Sequence, residues 1–206
     1  MITEHHLKIF EVFAKNPYAE HTRKEIKKEA REKSNNTLAL VINRLKKEDV
    51  LRERIIGRSG ILTLNLKNDL TYTYIMFCNN NILHSGAKLS FQRIQEELKD
   101  VTPFYSLVIF GSYAKREQKK TSDLDVAIFF DDEQQRKNII ASINTAKLKS
   151  PLEMDVHVIT KKEMIEMLTN KEENLGKQIA RKHLTVQNHQ IFYDIIQEGM
   201  NHGFHP

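Results

Sequence analysis

The 206-residue sequence lacks several features that would place it in a specialised class of protein. Its single cysteine, Cys78, excludes an internal disulfide and a cysteine-based zinc site. No stretch approaches the roughly 20 uncharged apolar residues that a bilayer span requires. The N-terminus MITEHHLKIF has neither the charged nor the apolar region of a secretion signal. We therefore expect a cytoplasmic protein with no membrane partner, folded as one large domain or two small ones.

The motifs of several large enzyme classes are also missing. The sequence shows no P-loop, no dinucleotide-binding glycine fingerprint and no Ser-His-Asp arrangement. Its histidines include no helix-spaced pair with a nearby acid of the zinc-hydrolase kind. A catalytic zinc ion is therefore not expected.

Positive charge is concentrated in the first third of the chain. Residues 1–66 hold 14 Lys and Arg against 9 Asp and Glu, whereas residues 67–206 hold 18 of each. The entire net charge of +5 therefore belongs to the first segment. A basic module joined to a neutral one favours a polyanion-binding domain beside a domain with another task.

Residues 3–66 have the pattern of three helices followed by a β-hairpin. Apolar residues at helical spacing predict a first helix over 6–13. Thr22 and Glu25 have the spacing of a capping box, which predicts the start of a second helix. Ser34 offers an N-cap for a third helix with one apolar stripe and one polar face. Two short runs joined by residues 57–60 complete the pattern.

This pattern resembles the winged helix-turn-helix domains of many prokaryotic transcription regulators. By that resemblance, the third helix would enter the major groove of double-stranded DNA, and the hairpin would lie against phosphates or the minor groove. The implied DNA-binding residues are Asn36, Asn43, Arg44, Lys47, Arg52, Arg54 and Arg58. The alternative is a small helical domain with an ordinary charged surface, or one used for dimerisation or docking, because acidic residues dilute the positive field.

Residues 67–87 connect this first domain, residues 1–66, to a second domain, residues 88–206. The stretch 69–83 is mostly apolar and contains neither glycine nor proline. We interpret it as a linking helix, or as part of a homodimer surface.

Short apolar strands alternate with helical stretches from Phe104 onward, which indicates an α/β (α+β) fold. Side chains at i and i+2 of a strand share a face, so Asp123 and Asp125 project together. Asp155 stands in another apolar strand and shares a face with His157. Crowded carboxylates repel each other unless a cation or a proton lies between them, and oxygen-only ligands suit Mg²⁺ or Mn²⁺.

The segment GSYAKREQKKTSDLDVAIF, residues 111–129, resembles the Gly-Ser, ten-residue spacer, Asp-x-Asp signature of the nucleotidyltransferase superfamily. That superfamily includes DNA polymerase beta and kanamycin nucleotidyltransferase, and the closest likeness is to its minimal prokaryotic members. The resemblance covers residues 88–199 and implies a polymerase beta-like domain with a mixed sheet and flanking helices.

The resemblance also implies a role for each motif residue. Gly111 and Ser112 would hold the triphosphate of a nucleoside triphosphate substrate. The catalytic residues, which would ligate two Mg²⁺ ions, are Asp123, Asp125 and Asp155.

The motif departs from the family at one position. Many members have a glycine soon after the Gly-Ser turn, in a GSxARG pattern, where this chain has Arg116 after Lys115. Both cations are candidates for binding the nucleotide, although the altered turn is equally compatible with a weakened activity. Lys115, Lys119 and Lys120 also fit an ordinary solvated loop.

The first functional hypothesis is a Mg²⁺-dependent nucleotidyltransferase that moves a nucleoside monophosphate, AMP by resemblance, to a hydroxyl acceptor. Minimal family members often act as antitoxins that adenylylate a HEPN-type helical toxin, so the resemblance implies a protein acceptor in a toxin-antitoxin system. The alternative is a DNA-binding transcriptional regulator whose second domain senses a nucleotide without turnover.

Overall fold

The computed structural model describes residues 3–119 and 121–206, so Lys120 of the predicted loop lies outside the described part. The chain divides into two units, Met1–Asn81 and Ile82–Pro206. None of the helices in the described ranges combines the length and the apolar composition that a membrane span needs.

The first unit contains, in its described residues, the predicted helices and hairpin together with one short additional strand. The helices are α1 (Glu4–Ala14), α2 (Arg23–Glu29), α3 (Asn35–Lys47) and α4 (Asp69–Ile82). The strands are β1 (His21–Thr22), β2 (Leu51–Ile56) and β3 (Ser59–Leu64), in the antiparallel order β1-β3-β2. The two-residue strand β1 was not predicted.

The predicted capping residues start α2 and α3. Thr22 Oγ1 accepts a hydrogen bond from the Glu25 N–H at 3.3 Å, and the Glu25 carboxylate accepts one from the Thr22 N–H at 2.7 Å. Ser34 Oγ accepts from the Thr37 N–H at 3.1 Å. These bonds satisfy N–H groups that have no partner within the helix, which confirms the capping box and the Ser34 cap.

Helix α4 matches the helix expected over residues 69–83 and occupies only part of the connecting segment 67–87. It ends at Ile82, and a separate helix begins at Ser85 with His84 as its N-cap. The His84 Nδ1 accepts from the Ala87 N–H at 3.4 Å. The imidazole cap of this second helix was not predicted.

The buried side of α4 packs within the first unit. The Tyr74 ring lies 5.0 Å from the Phe10 ring of α1, and the Tyr74 hydroxyl donates to Glu48 at 2.8 Å. Tyr74 is fully buried. Because these contacts join α4 to α1 and to the end of α3, the first unit extends to Asn81 and does not end at residue 66.

The second unit is built on a four-stranded mixed sheet. The strands are β4 (Tyr105–Ile109), β5 (Leu124–Phe130), β6 (Met154–Thr160) and β7 (Leu184–Gln187), in the order β6-β5-β4-β7. Strands β5 and β6 are parallel, and the other neighbours are antiparallel. The predicted mixed sheet is therefore present, although the edge strand β7 was not predicted.

Helices cover both faces of this sheet. They are α5 (Ser85–Leu98), α6 (Gly111–Lys115), α7 (Arg136–Lys149), α8 (Lys161–Thr169), α9 (Leu175–Arg181) and α10 (His189–Asn201). Leu124 and Val126 of β5 enter a core shared with α5 and α7. On the opposite face, Phe129 packs against Phe192 of α10 with ring centroids 5.3 Å apart. Strand alternation places Asp125 on the Phe129 face, at the other end of the strand.

Candidate active site

Three carboxylates meet at the start of strands β5 and β6. Asp125 and Asp155 are directly opposite each other in the register of these parallel strands. Asp123 immediately precedes β5. The structure therefore brings together the three aspartates that were predicted to act jointly.

Asp125 is the least exposed of the three carboxylates. Burial raises the pKa of this carboxyl, and the negative charges of Asp155 and Asp123 raise it further. A hydrogen bond from the Ser112 backbone N–H acts against this increase and lowers the pKa. The result is a concentration of negative charge that a bound cation would relieve.

Gly111 gives Asp125 the space that it occupies. Its φ is +62°, and a Cβ at this position would collide with Oδ2 of Asp125. The neighbouring Phe110 N–H donates to the Asp125 backbone carbonyl at 3.1 Å, which ties the Gly-Ser turn to β5. A side chain at residue 111 would thus be strained by the backbone and would displace the carboxylate.

Arg116 also has a left-handed backbone, with φ of 62° at the end of α6. Its N–H is bonded to the carbonyls of Ser112 and Tyr113. An L-residue in this region costs roughly 1–2 kcal/mol relative to an ordinary conformation. Glycine suits this position of the GSxARG pattern because it adopts positive φ without that cost. In this chain an arginine occupies the position despite the strain. Lys115, the preceding residue, is exposed.

Asp155 is paired with a histidine from its own strand. His157 Nε2 lies 3.1 Å from Asp155 Oδ2, and both side chains are partly exposed. The His157 ring lies 5.6 Å from the Phe110 ring. Asp155 and His157 therefore share a face, as the alternation of the strand predicted.

Tyr113 was not among the predicted site residues. Burial raises the pKa of its hydroxyl, and the charges of Asp123 and Asp125 raise it further. Its ring lies 5.5 Å from the ring of His84. The signal in the sequence was an aromatic residue directly after the Gly-Ser pair.

The donor chemistry of the site fits a divalent cation. Within residues 3–119 and 121–206, no three or more His, Cys, Asp or Glu side chains are already arranged as a metal-holding group. The aspartates nevertheless offer only oxygen donors, which suit Mg²⁺. The carboxylate of half-buried Asp125 is also repelled by the negative charges of Asp123 and Asp155. The glycine beside Asp125 Oδ2 keeps its surroundings free of side-chain atoms from residue 111.

The predicted DNA-binding residues lie in the first unit, on α3 and on the β2–β3 hairpin. Asn36, Asn43 and Lys47 are exposed and follow one stripe of α3. The same stripe carries Leu40, whose exposed fraction is 71 % and which was not predicted as a surface residue of interest. The exposed stripe is thus polar with one apolar residue at its centre.

Most of the predicted DNA-binding arginines have acidic neighbours. Three ion pairs are present: Arg44 with Glu48 at 2.8 Å, Arg52 with Asp49 at 3.7 Å and Arg54 with Glu20 at 2.5 Å. Arg58 lies in the exposed turn of the hairpin. A basic group around a surface hollow of α2 and the following loop was missed: Lys24, Lys27, Lys28, Arg31 and Lys33.

One protein family and two relatives match this chain. Residues 92–180, which include all three aspartates, match the family described as "Nucleotidyltransferase domain". "Putative protein adenylyltransferase MJ1215" of Methanocaldococcus jannaschii is 44 % identical over 46 residues, which are 22 % of this chain and 54 % of that protein. "Putative protein adenylyltransferase MJ0126" of the same organism is 36 % identical over 77 residues, 37 % of this chain and 76 % of that protein.

The chain belongs to the nucleotidyltransferase-domain family. The predicted nucleotidyltransferase domain is therefore confirmed, and it is a domain of an enzyme class. This nucleotidyltransferase-domain chain spans about half the length of the first relative and about three quarters of the second. No solved structure matches the chain significantly. The family match begins at residue 92 and leaves the first unit outside it.

Proposed function

We propose that this protein is a Mg²⁺-dependent nucleotidyltransferase that transfers AMP from ATP to a hydroxyl group of a partner protein. The observation that carries the proposal is the pairing of Asp125 with Asp155 beside a Gly-Ser turn that hydrogen-bonds to Asp125. The names of the two relatives support AMP as the transferred group and a protein as the acceptor.

Residues of the Gly-Ser turn would bind the triphosphate, and the three aspartates would bind the cations. Gly111 allows the triphosphate to approach the backbone, and the Ser112 hydroxyl donates to a phosphate oxygen. Asp123, Asp125 and Asp155 would hold the divalent cations. When bound, these cations neutralise the triphosphate and make the acceptor hydroxyl easier to deprotonate.

Asp155 has the further role of proton acceptor. Its carboxylate takes the proton of the acceptor hydroxyl as the hydroxyl oxygen attacks the α-phosphorus in line, and pyrophosphate leaves. His157, at 3.1 Å, orients this carboxylate. Lys115 and Arg116, at the end of α6, supply positive charge for the phosphates.

Calorimetric titration with ATP tests the proposed site. We expect binding with Mg²⁺ or Mn²⁺ and none with EDTA, because crowded carboxylates and a triphosphate repel each other without a cation. Asp125→Asn should abolish binding without loss of the fold, whereas Asp100→Asn, which changes an exposed aspartate outside the site, should bind as the wild type does. Equal affinity in Mg²⁺ and in EDTA would contradict the proposal.

The acceptor can be tested directly once a candidate is available. By the family resemblance described above, the candidate is a HEPN-type toxin, in a toxin-antitoxin system. Mass spectrometry of that protein after incubation with ATP should show an added AMP on a hydroxyl side chain. A nucleotide-sensing regulator, the rival interpretation, would bind ATP and release it unchanged.

A second activity is favoured by the exposed stripe of α3. We propose that the first unit is a winged helix-turn-helix domain that binds double-stranded DNA. The stripe presents amides that can pair with base edges, and Leu40 can contact a thymine methyl group. The basic group on α2 adds cations that can contact phosphates.

Fluorescence anisotropy at several salt concentrations tests DNA binding. Arg58→Ala should flatten the plot of log affinity against log salt by about one unit, because one phosphate contact is lost. Arg54→Ala should change the slope less, because Glu20 already engages this guanidinium. Asn43→Ala should alter sequence preference more than salt dependence. Unchanged slopes in Arg58→Ala and in Lys28→Ala, together with an unchanged sequence preference in Asn43→Ala, would exclude this surface.

A further inference from the structure

A cleft of about 830 Å³ lies in the second unit, at the end of β5 opposite to the aspartates. Residues 101–104, the end of β5 at Phe130 and one side of α10 border it. Since a strand rises about 3.3 Å per residue, Phe130 lies roughly 17 Å from Asp125. The cleft is therefore distinct from the candidate active site.

The cleft lining is mainly apolar. Its apolar side chains are Val101, Pro103, Phe104, Phe130, Ile191 and Ile195. The two isoleucines are one helical turn apart and face the same side of α10. Phe104 is 75 % exposed. An exposed aromatic ring at the mouth of an apolar cleft is the type of residue that anchors protein interfaces.

The backbone that presents Phe104 is held in place. The Phe104 N–H donates to Thr102 Oγ1 at 3.1 Å. The Asn188 side chain donates to the carbonyls of Pro103 at 3.2 Å and of Tyr105 at 2.7 Å. Because this segment is already ordered, a partner that covers the ring would lose little free energy to ordering it.

The polar groups of the cleft carry excess negative charge. Asp131, Asp132 and Asp194 border it, and Lys161 is the cation among the lining residues. The Lys161 ammonium lies 2.9 Å from a carboxylate oxygen of Glu198 and also interacts with the charges of Asp131 and Asp194, so the acids around the cleft outnumber this cation. An occupant must therefore combine apolar side chains with several positive charges.

We propose that this cleft docks a basic amphipathic helix of a partner protein. Apolar side chains on one face of that helix would pack between Phe104 and the isoleucines of α10, and its lysines or arginines would meet the three aspartates. The aspartates stand on two separate elements, the β5–α7 connection and α10, so they match cations distributed along a helix better than one amine. This surface adds a partner site to the proposed function and does not depend on catalysis.

A synthetic peptide tests the proposal with the full chain. The probe is a fluorescent helix of about 18 residues with leucines on one face and lysines on the other, and the readout is anisotropy. We expect it to bind, and Phe104→Ser and Asp194→Asn each to weaken binding by about tenfold or more, equivalent to about 1.4 kcal/mol. The same peptide with glutamate in place of lysine should not bind.

Matched variants distinguish binding in the cleft from non-specific binding of the peptide to the protein surface. Leu148→Ser removes an apolar side chain that is 89 % exposed on α7, and Glu172→Gln removes an exposed acid, both outside the cleft lining. Both variants should bind the lysine peptide as the wild type does. Circular dichroism should show that the Phe104 and Asp194 variants remain folded.

Several outcomes would overturn the proposal. One is absence of lysine-peptide binding at about 100 µM, and another is equal binding of the glutamate peptide. A third is a long-chain amine that binds as tightly as the peptide and is displaced by it, which would make the occupant a small amphiphile. A wild-type protein that self-associates and becomes monomeric on Phe104→Ser would instead identify a second copy as the occupant.

Discussion

Positive φ occurs at the first residue of the short helix α6 and directly after its last residue, and only the first of these two positions is a glycine. Gly111 and Arg116 both have φ of 62°. The first makes room for Asp125, whereas the second holds a charged side chain at a strained position. Substitution of these two residues can therefore separate the effect of backbone strain on stability from the effect of each side chain on nucleotide binding.

Gly111→Ala should both destabilise the protein and abolish nucleotide binding. The positive φ costs an alanine about 1–2 kcal/mol, and the new Cβ must also displace the Asp125 carboxylate. Gly57→Ala is the matched control, because Gly57 has φ of +60° but nothing within 4 Å of the added Cβ. Thermal unfolding and ATP titration of both variants should show binding lost only in Gly111→Ala. Equal stability and equal ATP affinity of the two variants would show that the Cβ of residue 111 does not displace the Asp125 carboxylate.

Arg116→Gly should leave stability unchanged or raise it by up to about 1 kcal/mol. Release of the strained backbone is worth roughly 1–2 kcal/mol, and the added flexibility of the unfolded chain offsets part of it. Affinity for ATP should nevertheless fall, because a cation at the end of α6 is lost. Arg31→Gly, at φ of 49° in the first unit, is the control for strain at a residue outside the nucleotide site. An Arg116→Gly variant with unchanged affinity would remove Arg116 from the nucleotide site.

At the residue scale, alternation in the strands predicted which side chains share a face within one strand, but not which strands are neighbours. A period of two places Asp123 with Asp125, and Asp155 with His157. The addition of Asp155 to the other two aspartates was implied by the family resemblance. The proximity of Tyr113 could not be predicted, because it depends on how α6 returns over β5. The left-handed backbone of Arg116 likewise depends on the turn and not on the residue type.

At the scale of elements, side-chain caps and apolar stripes predicted the helices, whereas short strands escaped detection. Thr22 and Ser34 marked helix starts because their hydroxyls satisfy free N–H groups. The strand β7, Leu184–Gln187, has four residues between two helices, too few to show a period. It forms because β4 offers an unpaired edge to which these residues can bond.

The junction of α9, β7 and α10 should make stability depend on pH. His183 is fully enclosed: its Nδ1 lies 3.0 Å from the Ala180 carbonyl, and the Tyr193 hydroxyl is 3.2 Å from its Nε2. Burial lowers the His183 pKa from 6.5 to about 4. Between these values the unfolded chain binds a proton that the folded chain does not, so stability falls as pH decreases from 6.5 towards 4.

Urea unfolding at about pH 7.5 and about pH 5 measures this effect. Each unit of pKa difference contributes up to about 1.4 kcal/mol. His183→Gln should lose part of the pH dependence, whereas His202→Gln, at an exposed position, should retain it. Burial also lowers the pKa of His189 to about 4, so this residue will maintain the rest of the pH dependence in the His183→Gln variant. The same pH dependence in His183→Gln and in the wild type would show that His183 does not contribute to it.

For the whole molecule, the division of charge predicted two parts but not their boundary. The apolar face of residues 69–83 could pack on either neighbour, and no local signal decides between them. In the structure Tyr74 packs on Phe10 and hydrogen-bonds to Glu48, so the first unit needs α4.

A fragment of residues 1–81 should therefore fold, whereas a fragment of residues 1–66 should not fold cooperatively. The shorter fragment leaves the Phe10 ring without Tyr74 and Glu48 without its hydroxyl partner. Loss of a buried aromatic residue alone typically costs about 3–5 kcal/mol, a large part of the stability of a small domain. Thermal melts followed by circular dichroism compare the two fragments. A cooperative melt of the shorter fragment at the same temperature would show that α4 is dispensable.

The transfer of label from ATP distinguishes nucleotidyl transfer from phosphoryl transfer and from binding without turnover. The purified protein, with Mg²⁺ and a cell extract as the source of acceptors, is incubated with ATP labelled on either the α- or the γ-phosphorus. We expect protein to acquire α-label with the wild type and Asp100→Asn, but not with Asp125→Asn or with EDTA, and γ-label to be released as pyrophosphate. Relative to extract alone, γ-label incorporation that depends on Asp125, or equal α-label incorporation with Asp125→Asn and with the wild type, would contradict nucleotidyl transfer at this site.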